Sequence, residues 1–316
     1  MVTGKDRSRS RLLAALSGTH DGRPAWVDRI EEGDDAGFFG PGSAAWAVHG
    51  GMPTLVAGIR ALLVQTLHPG AMAGVHDHSR FGEDPLGRLA GTIQWLTIVT
   101  YADTVFATEE SARVGKYHSR VVGTYLDAHG VERPYAAGDP ELLAWVHLAF
   151  TDSFLACHTI WGGPIPGGAD AYVREWATAG ELVGVESPPR SEQELRDHLA
   201  AFSRDGVLKS DERVAEAVRF IRHPPLPKPM LPAYRVLFAG AVASLPDDYR
   251  RMLGLRRSRL PVVWATARAL TAVHRLLGNR SPSEDAARTR IARIGWSRDV
   301  DDVGGSKPSE ASASAE

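Results

Sequence analysis

Seven of the chain's twelve histidines fall between His68 and Gly163, in mostly apolar, helix-like sequence that holds only one lysine, Lys116. A buried imidazole is costly to desolvate unless something bonds it. Histidines gathered on apolar helix faces therefore point to a site, and ligation of a metal or of haem iron is the chemistry they suit best. Three runs carry the pattern: Gly87-Arg88-Leu89-Ala90-Gly91-Thr92, then His118-Ser119-Arg120-Val121-Val122-Gly123, then Asp139-Pro140-Glu141 leading to Trp145-Val146-His147. Arg88 and Thr92 are four apart and so share one helix face. A buried arginine needs an anion. That anion is either the carboxylate of a bound cofactor or substrate, with the Thr92 hydroxyl beside it, or an internal partner such as Asp103, Asp152 or an acid of the C-terminal helices.

His118 can offer a lone pair to iron while its other ring nitrogen is fixed by an acceptor. His147 and His158 lie eleven residues apart, three turns along one face, with Asp152 between them. His147 reads either as a residue supporting a ligand or proton relay, or as a bonded core histidine; His158 reads as the latter. His76-Asp77-His78, taken as extended, would turn both rings to one side, a short spacing able to chelate zinc or iron. His68, before Pro69, is expected to bond a helix-end carbonyl.

The elements that must position these residues are helical. Pro53 opens a helix through Gln65, and His68-Pro69-Gly70 stops it. Met72–Val75 reads as a short turn before a His76–His78 loop. Asp84-Pro85 starts a long apolar helix that carries Arg88 and Thr92 to about Phe106. Thr108-Glu109-Glu110 resembles a cap with acidic first-turn residues, so Glu109–Val122 is expected to present His118. Residues 123–138 form a polar connector with a turn at Asp127–Gly130 and weak strand candidates at Gly123–Tyr125 and Glu132–Tyr135. Asp139 caps a helix with Pro140 at its first position, running to about Trp161. Further helices are expected at Ala169–Leu182, after the capping box Ser191-Glu192-Gln193-Glu194, and at Asp211–Ile221, Ala233–Ala243, Asp247–Leu253 and Pro261–Leu277. Five prolines between Pro224 and Pro232 demand extended chain. The reading is one all-α domain over residues 21–297, between a flexible leader at 1–20 and a polar, disordered tail at 298–316, with no repeat.

Bulk properties narrow the function. The 316 residues can bury a sizeable core, and 43% hydrophobic with 23% charged residues is ordinary for a globular protein. A net charge of −2 gives no footprint for nucleic acid. The densest basic run, Arg256-Arg257-Ser258-Arg259, is a solvated surface or a contact for an anionic partner or membrane. Cys157 is the lone cysteine, which excludes a disulfide within the chain and a multi-cysteine zinc site, and reads as a small core residue. The polar start of the chain lacks a signal-peptide pattern and no apolar run is long enough to span a bilayer. The expectation is a cytoplasmic protein, with peripheral membrane association open. The sequence has no His-Glu-x-x-His, no Glu-x-x-His pair, no Gly-x-Ser-x-Gly elbow, no P-loop and no Gly-x-Gly-x-x-Gly after a strand. Those absences weigh against zincin, ferritin-like, α/β-hydrolase, nucleotidase and Rossmann readings.

The ordered set His68-Pro69, Asp84-Pro85-x-x-Arg88-x-x-x-Thr92, His118-x-x-Val121-x-Gly123, Tyr135-x-Ala137-x-Asp139-Pro140 and Trp145-Val146-His147 resembles the MpaB and rubber-oxygenase (latex clearing protein) catalytic domain, over about residues 35–255. Leu245-Pro246 with Arg250 and Leu253-Gly254-Leu255 fits the family's end. The resemblance implies a globin-like all-α core around a buried haem b pocket. It implies His118 as the proximal iron ligand and Arg88 and Thr92 as pocket residues with catalytic roles, His147 being a further cofactor-pocket candidate. The activity implied is an oxygenase using O2 on a hydrophobic small molecule, isoprenoid or lipid-like. The alternatives are a non-catalytic haem carrier or sensor, or a non-haem metal hydrolase using His76 and His78. Rubber oxygenases carry a lysine just before the threonine; Gly91 stands there in this chain. Their glutamate base has no counterpart, and Met72, His76 and His78 occupy its region. The resemblance thus carries haem binding but not polyisoprene cleavage, and Gly91 would leave the distal iron position open, with Thr92 or Arg88 supplying hydrogen bonds.

Overall fold

The computed structural model describes residues 24–78, 85–278 and 280–296, with no side chain described at 85–89. The expected leader at 1–20, the tail at 298–316, Asp84 and the Arg88 side chain lie outside the described residues. The described chain is all-α apart from one two-stranded sheet. Its helices are α1 (Trp26–Glu32), α2 (Ala44–Gly50), α3 (Thr54–Gln65), α4 (Pro69–His78), α5 (Pro85–Tyr101), α6 (Thr104–His118), α7 (Pro140–Trp161), α8 (Gly168–Leu182), α9 (Glu192–Arg204), α10 (Glu212–Arg222), α11 (Leu231–Ser244), α12 (Asp247–Met252), α13 (Val262–Leu277) and α14 (Pro282–Ile294). Strands β1 (Val122–Leu126) and β2 (Glu132–Ala136) pair antiparallel, Gly123 opposite Tyr135, which turns the weak strand candidates into a hairpin.

Side-chain caps start five of the described helices, α2, α6, α9, α10 and α14. Ser191 Oγ accepts from Glu194 N and Asp211 Oδ1 from Val214 N, as those segments predicted. Pro140 occupies the first turn of α7, where its missing N–H costs nothing. Three expectations are corrected. His76–His78 is not extended: Pro69 starts a new helix, α4, that runs through His78, because the proline is N1 of that helix rather than the stop of α3. The long helix ends at Tyr101 rather than Phe106, since Asp103 Oδ1 accepts from Phe106 N and caps α6 five residues before the expected cap at Thr108. The proline-rich segment is not extended throughout, as a 3-10 turn forms at Lys228–Met230.

At the centre α3 and α7 pack along their lengths. Arg60 is 2% exposed and places Nη1 2.6 Å from Asp152 Oδ2 and 2.8 Å from Ser153 Oγ. Trp145 donates its indole N–H to Gln65 O across the same pair. Cys157 is buried as a small core residue, and burial pushes its thiol up to about 11. A second buried cation, Arg290 of α14, donates to the carbonyls of Asp35 and Tyr101 and so ties the end of α5 to the C-terminal helix. No single described helix is long and apolar enough to cross a membrane; α2 and α3 are apolar together but meet at 90°.

The β-hairpin is fixed by residues of the spaced sequence set. Val121 is buried, its backbone carbonyl accepts from Ala137 N, and its side chain lies in contact range of Gly74 on α4. A Cβ at Gly123 would sit 3.0 Å from the Tyr135 ring, so glycine there lets that tyrosine lie across the strand. Asp139 Oδ2 accepts from Ala136 N and closes the hairpin into α7. His68 bonds Glu141 Oε1 at 3.0 Å, while its Nδ1 accepts from Gly70 N; the expected partner, a helix-end carbonyl, is replaced by a carboxylate and the first turn of α4.

Candidate functional site

Helices α5 and α6 form an antiparallel pair joined by a tight connection at Ala102-Asp103. Two side-chain bonds set their register: Trp95 Nε1 to Ser111 Oγ at 3.0 Å, and Gln94 Nε2 to Glu110 Oε1 at 3.0 Å. Seven residues are two helical turns, so a step of seven keeps the same face. Counting two turns from that bond, away from the connection, reaches position 88 on α5 and His118 on α6. One turn reaches Gly91 and Thr92 on α5 and Gly115 on α6. The two sequence signals, the Arg-x-x-x-Thr pair and the His118 motif, thus fall on paired helices, at the ends away from their connection.

The seam is not closed by packing along its length. A Cβ built at Gly91 or at Gly115 would meet no atom of the described residues within 4 Å. Every residue of α5 from Ala90 to Thr97 is half-buried, so this stretch has neither a sealed face nor a plainly solvated one. His118 is half-buried too, at the last position of α6, and both it and Thr92 have interaction partners. A helix C-terminus concentrates unpaired carbonyls and orients an imidazole that donates there. An imidazole at the half-buried end of α6 and a hydroxyl on the half-buried stretch of α5 are a donor set that suits a planar, histidine-held group, while Gly115 is exposed to solvent.

His147 lies elsewhere on the core side. It is 6% exposed, its ring packs flat against Gly180 of α8, and its Nε2 has no hydrogen-bond partner. Burial pushes its pKa down to about 4. One turn back along α8, Trp176 meets Trp95 of α5 with centroids 6.5 Å apart, so α8 spans from the seam to His147. Asp152 is engaged by Arg60, which leaves the relay reading of His147 with Asp152 without a contact. Replacing Gly180 with alanine would drive a Cβ to 2.9 Å from the His147 ring. The expected cost is about 1–3 kcal/mol of unfolding free energy, recovered in large part by adding His147→Ala, and paired denaturant titrations measure both.

Sequence reasoning missed His49. Its ring is stacked between Trp176 at 3.8 Å and Phe154 at 4.6 Å and bonds Tyr172 Oη at 3.2 Å. Burial, with His158 nearby, pushes its pKa down to about 3. His49 falls outside the His68–Gly163 cluster, and its partners come from α7 and α8, so no local spacing marks it. His158 is a bonded core histidine as expected, with Nε2 3.1 Å from Gly163 O.

The helical course of α4 separates the proposed chelating pair. His76 Nδ1 bonds Asp77 Oδ1 at 2.9 Å, and His78 Nε2 bonds Val122 O at 2.7 Å on the hairpin. Among the described residues no group of three or more His, Cys, Asp and Glu side chains converges as a metal site. The extended geometry on which the hydrolase reading rests is therefore not present, since His76 bonds its neighbour Asp77 on α4 and His78 bonds the hairpin.

Neither a curated protein nor a solved structure matches the chain. A family model does: the ER-bound oxygenase mpaB/B'/rubber oxygenase catalytic domain matches residues 46–277. The match takes in the α5–α6 seam, the hairpin, the α3–α7 core and the helices through α13. It covers well over half of the chain, and the spaced residues that fold the hairpin lie inside it, as do positions 88, 92 and 118. The chain belongs to the mpaB/B' and rubber oxygenase catalytic-domain family.

Proposed function

We propose that this oxygenase-family chain binds haem b at the α5–α6 seam and uses it, with O2, to oxidise a hydrophobic small molecule such as an isoprenoid or lipid chain. The observation that supports the reading is the Trp95–Ser111 bond between α5 and α6, from which position 88 and His118 are each two turns away, with no described atom crowding the half-buried Gly91. Haem, when bound, supplies the iron at which oxygen is activated. The His118 imidazole holds it through a ring lone pair. Arg88 provides the fixed positive charge that a carboxylate-bearing cofactor requires on leaving water. Thr92 donates or accepts one hydrogen bond from the same helix face. Gly91, lacking a side chain, leaves the space next to Thr92 to substrate. Ile93 and Leu96, half-buried on α5, favour an apolar ligand over a charged one. His147, packed on Gly180 away from the seam, stays neutral near neutral pH, with an unpartnered Nε2.

The test is haem content. Protein expressed with a haem precursor is expected to carry a Soret band that His118→Ala abolishes and that His76→Ala leaves intact. Wild-type haem content in the His118→Ala variant would remove the ligand assignment. Oxygen consumption that depends on added lipid separates an oxygenase from a carrier or sensor, which would bind haem and consume none.

A further inference from the structure

Charge is unevenly distributed along this nearly neutral chain. From Ala217 to Ser283 there are twelve arginines and lysines against two acids, Asp247 and Asp248. Asp247 is paired with Arg250. Arg256, Arg257, Arg259, Arg268 and Arg275 are all exposed, and none forms an ion pair among the described residues. Set among them are the two most exposed large apolar side chains of the described residues, Leu260 at 76% and Trp264 at 62%, with Val263 at 47% beside them. The end of α7 is tied to this group, because Trp161 donates its indole N–H to Val263 O at 3.0 Å; Ile160 there is exposed as well.

Helix α13 is split cleanly. Val262, Thr266 and Leu270 are buried, and Thr266 packs into the space left by Gly240 of α11. The opposite stripe carries Trp264, Arg268 and Arg275, spaced by four and seven residues and so aligned along one side. The Arg268 guanidinium lies over the Trp264 ring, 5.3 Å from its centroid. Solvation does not explain a tryptophan, a leucine and a valine held together in water.

We propose that this face, made of the outer stripe of α13, the Arg256–Pro261 loop and the end of α7, docks on an anionic phospholipid bilayer. An indole and a leucine at the tip of a basic rim match the interfacial layer, where apolar side chains enter the acyl boundary and arginines meet phosphates. Arg268, stacked on Trp264, can keep its charge at headgroup level while the ring sinks. A second copy of the chain is a poorer occupant, since a symmetric contact would bring unpaired arginines against one another. The face is made of residues other than those at the α5–α6 seam, so the proposal stands apart from the haem reading.

Sedimentation of the full chain with lipid vesicles tests it. Vesicles of phosphatidylcholine containing about a third phosphatidylserine are expected to bind the protein about tenfold more tightly than phosphatidylcholine alone, with the advantage lost at high salt. Arg256→Glu with Arg257→Glu and Arg259→Glu is expected to remove the preference. Leu260→Ser with Val263→Ser and Trp264→Ser is expected to weaken binding about tenfold or more while leaving circular dichroism and melting temperature near wild type, because those side chains are exposed. Equal binding to neutral and anionic vesicles, or unchanged binding by the serine variant, would overturn the proposal. So would a wild-type dimer that the serine variant dissociates, which would assign the face to a second copy of the chain.

Discussion

Replacing Asp152 with alanine is expected to lower the free energy of unfolding by about 3–5 kcal/mol. Arg60 is 2% exposed and fixed on α3 among apolar neighbours, with Asp152 as its counter-charge at 2.6 Å. Its remaining bonds go to neutral groups: Ser153 Oγ at 2.8 Å, and Ser244 O at 3.4 Å from Nε. Removing the carboxylate leaves a full positive charge in the core, and arginine does not deprotonate to escape the cost. The opposite deletion is gentler. In Arg60→Met the stranded Asp152, at 24% exposed, turns toward water, so the expected loss is smaller than for Asp152→Ala. Arg60→Met combined with Asp152→Leu is expected to recover most of the loss, as buried pairs replaced whole by apolar side chains commonly do. Urea titrations of the four proteins give the comparison. An Asp152→Ala variant within about 1 kcal/mol of wild type would show that the pair is solvated and that the α3–α7 core is fastened by apolar packing alone.

How far the sequence reveals this molecule depends on how local each signal is. The α7 helix is legible to its ends because Asp139, Pro140 and Gly162 punctuate it locally. The hairpin is only half legible: strands of five residues carry weak alternation, and what holds them is Tyr135 lying over Gly123 and Gly74, a contact made between elements. The start of α6 was misplaced because Thr108 looks like a cap in sequence, yet its hydroxyl donates back to Thr104 O inside the helix while Asp103 takes the capping role. The same holds for the site. His118, Arg88 and Thr92 can be picked out by type and spacing, but the pairing of the helices that carry them rests on the Trp95–Ser111 bond, which no local spacing marks. His76 and His78 failed as a pair for the converse reason: a proline read as a stop is the first residue of a helix. His49 was invisible because Phe154, Tyr172 and Trp176 reach it from helices more than a hundred residues on.

The buried histidines make a second, graded expectation, that stability falls as pH drops from 6.5 to 4, above the range in which most carboxylates titrate. His147 has its pKa pushed down to about 4 by burial, against 6.5 for the free side chain. Between those values the unfolded chain holds a proton that the native protein excludes, so protonation favours unfolding. The contribution is complete above pH 6.5 and is lost as pH falls toward 4, on the order of 3 kcal/mol in all. His49, pushed down to about 3 between its two aromatic rings, acts with the same sign over a window reaching lower. Asp35 and Glu141, both held below the ordinary carboxylate range, also lose stabilisation on acidification, but only once pH falls below the unfolded carboxylate value. The upper part of the curve therefore belongs to the histidines. Urea midpoints of wild type and His147→Leu, measured at intervals from pH 7 to pH 4, should diverge in slope by about 1.4 kcal/mol per pH unit, the variant being the flatter. Parallel curves would mean that the His147 ring takes up its proton in the folded state, and hence that its unpartnered nitrogen has access to water rather than to a dry interior.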